Sequence, residues 1–233
     1  MATLTDLLQR VEAVVSDGGH PIIVFDLDST LFDTAGRHLA ILRAFAEQAP
    51  QIRPIVDELG LSDFGWHVHA PLRTRGVDDP ALFKALERFW FDRFFHDDWV
   101  GHDHPAAGAP EFVRACWERG CTAYYLTGRD APNMATGTVR ALQKSGFPMF
   151  SGRSLLHLKP DFKMPDAPFK QDAIHAIRQL QGTVVATFEN EPGNAKMFMD
   201  AFPEAVHYLV GSVRSPESPE PDPALVQVPD FRH

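Results

Sequence analysis

Two cysteines, Cys116 and Cys121, are too few for a disulfide framework or a cysteine-rich metal site. Both lie in an apolar stretch, so two reduced thiols inside a core are expected. No apolar run is long enough to span a bilayer. Between Met1 and Gly19 the residues Asp6, Arg10, Glu12 and Asp17 interrupt what would be the apolar core of a secretory signal. A cytoplasmic location is the resulting expectation. Positive charge is also scarce. The chain carries 22 Lys and Arg against 31 Asp and Glu, a formal net charge of −9. That balance argues against a broad electrostatic surface for nucleic acid or for an anionic membrane. It still permits a small phosphorylated molecule, held by a bound cation and a few local positive groups. No internal repeat is visible.

What is present suits a globular protein of one large domain, or of one core with an insertion. Residues 3–17 place Leu4, Leu7, Leu8, Val11, Val14 and Val15 on one helical face, stopped by Gly18-Gly19. A short β-branched strand follows at 21–25. From Thr34 to about Pro105 the pattern is helical and irregular, with one helix expected to start near Asp79-Pro80. Alternation of helix and strand then resumes. Strands are expected at 122–126, 154–158, 183–188 and 205–210, and helices at 110–119, 133–144, 169–180 and 193–201. This order predicts an α/β fold: a Rossmann-like three-layer core with a mostly parallel sheet, and a small helical cap inserted after the first strand. The expected division is core at 1–34 and 106–211, cap at 35–105, and a Pro/Glu-rich tail at 212–233. The tail lacks periodicity and is expected to be a loosely attached extension.

Four short motifs carry the chemistry. The first is Asp26-Leu27-Asp28-Ser29-Thr30, at the carboxyl end of the first strand. Ligand sites of open α/β sheets lie at such strand ends. Two carboxylates this close repel each other unless a cation or a shared proton relieves them, and oxygen ligands suit Mg²⁺. The second is Thr127-Gly128-Arg129-Asp130, whose hydroxyl and backbone N–H groups suit an oxyanion. The third is Lys170, near a helix start where a cation opposes the helix dipole. The fourth is Glu189-Asn190-Glu191 with Asn194, acidic and amide oxygens that suit a hard cation. Each motif alone also reads as an ordinary turn or a solvated side chain.

In this order the four motifs resemble the haloacid dehalogenase (HAD) superfamily over roughly residues 20–34 and 106–210. The helical insertion resembles that family's C1-type cap. The resemblance implies an Mg²⁺-dependent phosphatase acting on a small phosphorylated metabolite. Asp26 would be the nucleophile that forms an aspartyl-phosphate, and Asp28 the general acid and base. Asp28 also favours phosphoryl chemistry over dehalogenation, because dehalogenating relatives generally lack this second acid. Thr127, Gly128, Arg129 and Lys170 would bind the substrate phosphate. Asp26, the Asp28 backbone carbonyl, Asn190 and Glu189 would hold the metal, with Asn190 preferred over Glu189 as the direct side-chain ligand. Asn190 departs from the family's usual Asp. A catalytically weak binding or regulatory protein on this scaffold and a phosphotransferase or mutase are the alternative readings.

Other residues invite attention. His67 with His69 and His102 with His104 have metal-like spacings, but each pair lacks an evident third ligand. Trp66, His67, Arg73 and Arg75 lie in a loop that either faces substrate or is solvated. Arg129 and the cap arginines are the candidate sources of positive charge near the phosphate. The stripe Phe89-Trp90-Phe91 with Phe94 and Phe95 reads as cap core.

Overall fold

The computed structural model describes residues 3–150 and 152–233; residues 1 and 2 of the expected N-terminal core segment, and residue 151, lie outside it. Helix α1 (Leu4–Ser16) begins at Thr3, whose side chain and that of Asp6 cap each other's backbone. Strand β1 (Pro21–Phe25) is buried throughout. The chain then enters the two-residue strand β2 (Phe32–Asp33) and a run of helices: α2 (Ala35–Ala46), α3 (Arg53–Asp57), α4 (Ala70–Thr74), α5 (Pro80–Phe94) and α6 (Asp97–Val100). It leaves through β3 (His104–Pro105), which pairs antiparallel with β2. The remainder alternates: α7 (Ala109–Glu118), β4 (Thr122–Asp130), α8 (Ala131–Lys144), β5 (Ser154–Lys159), α9 (Asp166–Arg178), β6 (Thr183–Glu189), α10 (Pro192–Ala201), β7 (Val206–Val210) and β8 (Val226–Val228).

Six strands form one sheet in the order β5-β4-β1-β6-β7-β8, and every neighbouring pair is parallel. Parallel strands buried on both faces read as continuous apolar runs, and β1 shows why. Ile23 and Phe25 pack with Leu7, Val11, Phe112, Val113 and Leu142 on the face of α1, α7 and α8. Ile22 and Val24 pack with Phe169, Ile174, Ile177 and Phe198 on the face of α9 and α10. The helices between β2 and β3 build a separate cluster around Leu42, Phe45, Leu72, Phe83 and Leu86. Gly36 sits where the two strands of this stem meet. A Cβ there would come within 2.1 Å of the His102 carbonyl oxygen, so only glycine fits. Among the described residues no helix is long and apolar enough to cross a membrane. Cys116 and Cys121 are buried free thiols, and burial pushes Cys121 up to about 12.

Two expectations from the sequence change. Strand β4 does not stop at Leu126 but runs to Asp130, with a register shift between Thr127 and Asp130 opposite β5. The second motif therefore lies inside an irregular strand end. The larger correction concerns residues 212–233, which are not a loose extension. Val226–Val228 adds the sixth strand beside β7. Leu225 packs on Ala195 and Leu209. Phe231 is fully buried, with its ring 5.2 Å from that of Phe188 and 5.9 Å from that of Phe112. Its backbone N–H donates to the Ala107 carbonyl at 2.9 Å. Phe231→Ala is accordingly expected to destabilise the protein by about 3–5 kcal/mol, read from denaturant midpoints. A loss of less than about 0.5 kcal/mol, the range of an exposed position, would show that the segment does not pack.

Candidate functional site

Asp26, the first residue after β1, is buried at the carboxyl edge of the sheet. Lys170, in the second turn of α9, reaches across to it. Its ammonium lies 2.8 Å from Asp26 Oδ1 and 2.5 Å from Glu189 Oε1, at the end of the neighbouring strand β6. All three side chains are almost wholly buried. Burial pushes the Asp26 carboxyl above its ordinary range, against the pull of Lys170. Burial also raises Glu189, to about 8, again against Lys170. Burial also opposes the charge on Lys170, yet the two carboxylates outweigh it and hold the ammonium above its usual value. Glu189 Oε2 is buried without a well-formed hydrogen bond, and the Asn194 side chain is the neighbouring donor that favours the charged form of this carboxyl. A buried carboxylate oxygen so placed is costly unless a proton or a cation meets it.

Asp28 sits in a different environment. The Arg129 guanidinium grips it with two hydrogen bonds, Nε to Oδ2 at 2.9 Å and Nη2 to Oδ1 at 2.7 Å. Arg37 Nη2 donates to the same Oδ1 at 2.8 Å. Both guanidiniums also bind Asp103, Arg37 through Nε at 2.8 Å and Nη2, Arg129 through Nη2 at 2.8 Å. Arg37, Arg129 and Asp103 have essentially no exposed side-chain surface, and Asp28 is a third exposed. Burial favours the neutral acid, but Arg129 and Arg37 outweigh it and hold Asp28 well below the usual carboxylate range. Asp28 is thus an anion that accepts hydrogen bonds here. The sequence expectation made it a proton donor, a role that requires it first to gain a proton and exchange these bonds for a leaving oxygen.

Thr127 is buried at the bend of β4, and its Oγ1 accepts from the Arg129 N–H at 3.2 Å. Its own hydroxyl proton stays available to an oxyanion. Gly128 follows, facing the carboxylate end of the exposed Asp166 side chain. A Cβ at this position would fall 2.7 Å from Asp166 Oδ2. On the other side, Asn190 Nδ2 donates to the Val213 carbonyl at 2.7 Å, and its Oδ1 lies 3.5 Å from Thr30 Oγ1. Glu191 is bound by the Ser215 N–H at 2.7 Å and by the Ser218 hydroxyl. Ser212 donates to the Ser29 carbonyl. The C-terminal segment therefore straps the first motif to the fourth and fixes which way Asn190 presents its oxygen. Ser29 itself takes a left-handed conformation, with φ at 59°, to close this turn.

Asp26, Asp28, Thr127, Gly128, Arg129, Lys170 and Asn190 all line one cavity of about 670 Å³. Glu189 lies beneath it, buried behind Lys170. The structure thus brings together the eight residues to which the sequence resemblance gave a catalytic, phosphate-binding or metal-binding role. The oxygen donors suit a hard cation: the Asp26 carboxylate, Asn190 Oδ1, and the buried Glu189 oxygen close by. Among the described residues no three His, Cys, Asp or Glu side chains meet as a closed set. The His67–His69 and His102–His104 pairs gain no third ligand. Arg73 and Arg75 do not supply charge to the cavity. Arg75 pairs with Asp63 at 2.8 Å, and Arg73 lies over the Phe83 ring. Trp66 and His67 do line it, and so do Trp90, Phe91, Phe94 and Phe95, which the sequence reading assigned to core. The residues missed were Arg37 and Asp103. Arg37 shares the buried face of α2 with Ile41 and Phe45. A charged residue on an apolar face signals a buried partner, though not which one.

The raised Glu189 carboxyl gives a pH prediction. A group whose folded pKa exceeds its unfolded value contributes stability below the unfolded pKa and loses it as pH rises through the folded one. Without divalent metal, wild-type stability relative to Glu189→Gln should fall as pH rises from about 4.5 to about 8, measured by urea unfolding. A difference that stays flat across that window would contradict the assignment.

The sequence matches no family model and no curated protein. Solved structures do match. A candidate phosphatase from Clostridium difficile superposes with a TM-score of 0.60 at 12% identity, over 90% of this chain and 94% of that one. An HAD-superfamily hydrolase of subfamily IA from Geobacter sulfurreducens gives 0.56 at 13% identity, over 92% and 95%. A haloacid dehalogenase-like hydrolase from Streptococcus pneumoniae gives 0.51 at 12% identity, over 89% and 93%. The parallel sheet, its order and these superpositions together show that the chain has the fold of the haloacid dehalogenase superfamily.

Proposed function

We propose that this protein is an Mg²⁺-dependent phosphomonoester hydrolase that works through an aspartyl-phosphate on Asp26. The observation that carries the reading is the buried Asp26–Lys170–Glu189 cluster, with one oxygen lacking a well-formed hydrogen bond, beneath a cavity at the carboxyl edge of the sheet. Asp26 Oδ2 is the attacking atom, since Oδ1 is held by Lys170. Lys170 favours the ionised form of Asp26 against the effect of burial and neutralises charge on the phosphoryl oxygens. The Thr127 hydroxyl donates to one of those oxygens. Attack at phosphorus transfers the phosphoryl group to Asp26 and expels the alkoxide of the substrate. Water then attacks the acyl phosphate, returning Asp26 and releasing phosphate. Asp28, held anionic by Arg37 and Arg129, takes the proton from that water. That proton is the one Asp28 gives to the leaving oxygen in the first step of the next turnover, so each cycle moves one proton from water to the released alcohol.

Asp26, Asn190 and the Asp28 backbone carbonyl would hold the metal, with Glu189 in support. Bound there, Mg²⁺ supplies electrostatic stabilisation of the transferring phosphoryl group. The helices between β2 and β3 form a cap over this edge, consistent with the lining that α5 contributes to the cavity. Such a cap excludes water and selects the substrate. The substrate is a small phosphorylated molecule, in keeping with a cavity of about 670 Å³.

Asp26→Asn is nearly isosteric and keeps a hydrogen bond to Lys170, so the fold should survive. Phosphate release from a panel of phosphomonoesters should be Mg²⁺-dependent in the wild type and fall at least about 10³-fold in this variant. Substantial release that persists in Asp26→Asn would exclude the covalent route.

A further inference from the structure

Above the sheet edge the cavity lining is aromatic: Trp66, Trp90, Phe91, Phe94, Phe95 and Phe162. Trp66 and Phe91 are 47% and 48% exposed, although both are large and apolar. Their neighbours are held in place. Trp90 Nε1 donates to His38 Nδ1 at 3.0 Å, and the two rings lie nearly parallel with centroids 5.7 Å apart. Phe91 and Phe95 stand edge-on to Phe162, at 5.6 and 5.3 Å. Phe162 belongs to the loop after β5, so helix α5 and the core present one continuous ring-lined wall. Uncovered rings on a rigid wall favour a flat apolar partner, which stacks at little entropic cost.

The charges of the cavity point the same way. Among the described lining residues, every Lys and Arg already has a carboxylate partner. Arg129 is bound to Asp28 and Asp103, Lys170 to Asp26 and Glu189, and Lys159 to Asp166 at 2.7 Å. The lining also holds Glu87 and Glu191. A second anionic group on the substrate would meet Lys and Arg side chains already paired, and a His69 that already faces Glu87 at 2.9 Å.

We infer that the substrate's organic part is an aromatic ring system without further negative charge, seated against Trp66 and Phe91. The inference rests on the phosphomonoesterase reading and narrows it to one substrate class. Three non-hydrolysable probes with the same head group test it: benzylphosphonate, propylphosphonate and 3-phosphonopropionate. Their binding to the full chain, with Mg²⁺ present, is measured by calorimetry. Benzylphosphonate should bind about tenfold more tightly than propylphosphonate, and 3-phosphonopropionate most weakly. Trp66→Ala and Phe91→Ala, at exposed positions where truncation leaves the core packed, should each reduce the benzyl preference by about threefold or more. An equal or reversed order, no binding of benzylphosphonate, or a preference that survives both substitutions overturns the inference. Phosphate release from the corresponding esters separates the two claims. The predicted binding order without release from any ester sinks the hydrolase reading and keeps the aromatic site. Release that favours sugar phosphates over aryl esters keeps the hydrolase and overturns the aromatic site.

Discussion

Four carboxylates crowd one edge of the sheet, and their mutual repulsion is the constraint that the surrounding structure answers. Asp26 and Glu189 share Lys170, while Asp28 and Asp103 share Arg37 and Arg129. Four acids thus face three cations. Where the side chains are this deeply buried, an excess negative charge is expensive. Glu189 shows the strain, with burial pushing its pKa up to about 8 and one oxygen left without a well-formed hydrogen bond. A divalent cation beside Asp26 and Asn190 would restore the balance. Phosphate, which brings its own negative charge, needs that cation too. The arrangement therefore has a chemical reason as well as a structural cost.

The cations are not interchangeable in this scheme. Lys170 is a point charge at the end of a flexible stem, and it bridges two strand ends from a third element. Arg37 and Arg129 are planar forks that hold two carboxylates each. Arg37 comes from α2 and Asp103 from the segment before β3, so the quartet staples both ends of the helical insertion to the β1 motif. The strap formed by residues 212–218 does the same for the β6 motif, through Val213, Ser215 and Ser218. The helices that shape the cavity and the loops that carry its acids are tied to one another by the charges they enclose.

Much of this was legible in the chain. Ile22 to Phe25, followed by two aspartates, announced a buried parallel strand and a site at its end, because periodicity and strand-end chemistry are local properties. Thr127 and Asn190 stand at two further strand ends, whereas Lys170, near a helix start, gained meaning only from its order among the other motifs. The quartet was not, because Arg37 and Asp103 are separated by the whole insertion and nothing local pairs them. The C-terminal segment was misread for a related reason. Its Pro and Ser content hides a three-residue strand and a single buried ring, Phe231, which gain their order only from β7, Phe112 and Phe188. The aromatic residues of α5 were read as core from their spacing. Spacing alone does not distinguish a ring that faces a core from one that faces a cavity.

Titration of the full chain with Mg²⁺ by calorimetry tests the central claim most directly, because that claim is about charge before it is about turnover. The account predicts one Mg²⁺ per chain, with binding lost in Asn190→Ala and strengthened by inorganic phosphate. A wild-type protein that binds no Mg²⁺, with or without phosphate, would contradict it.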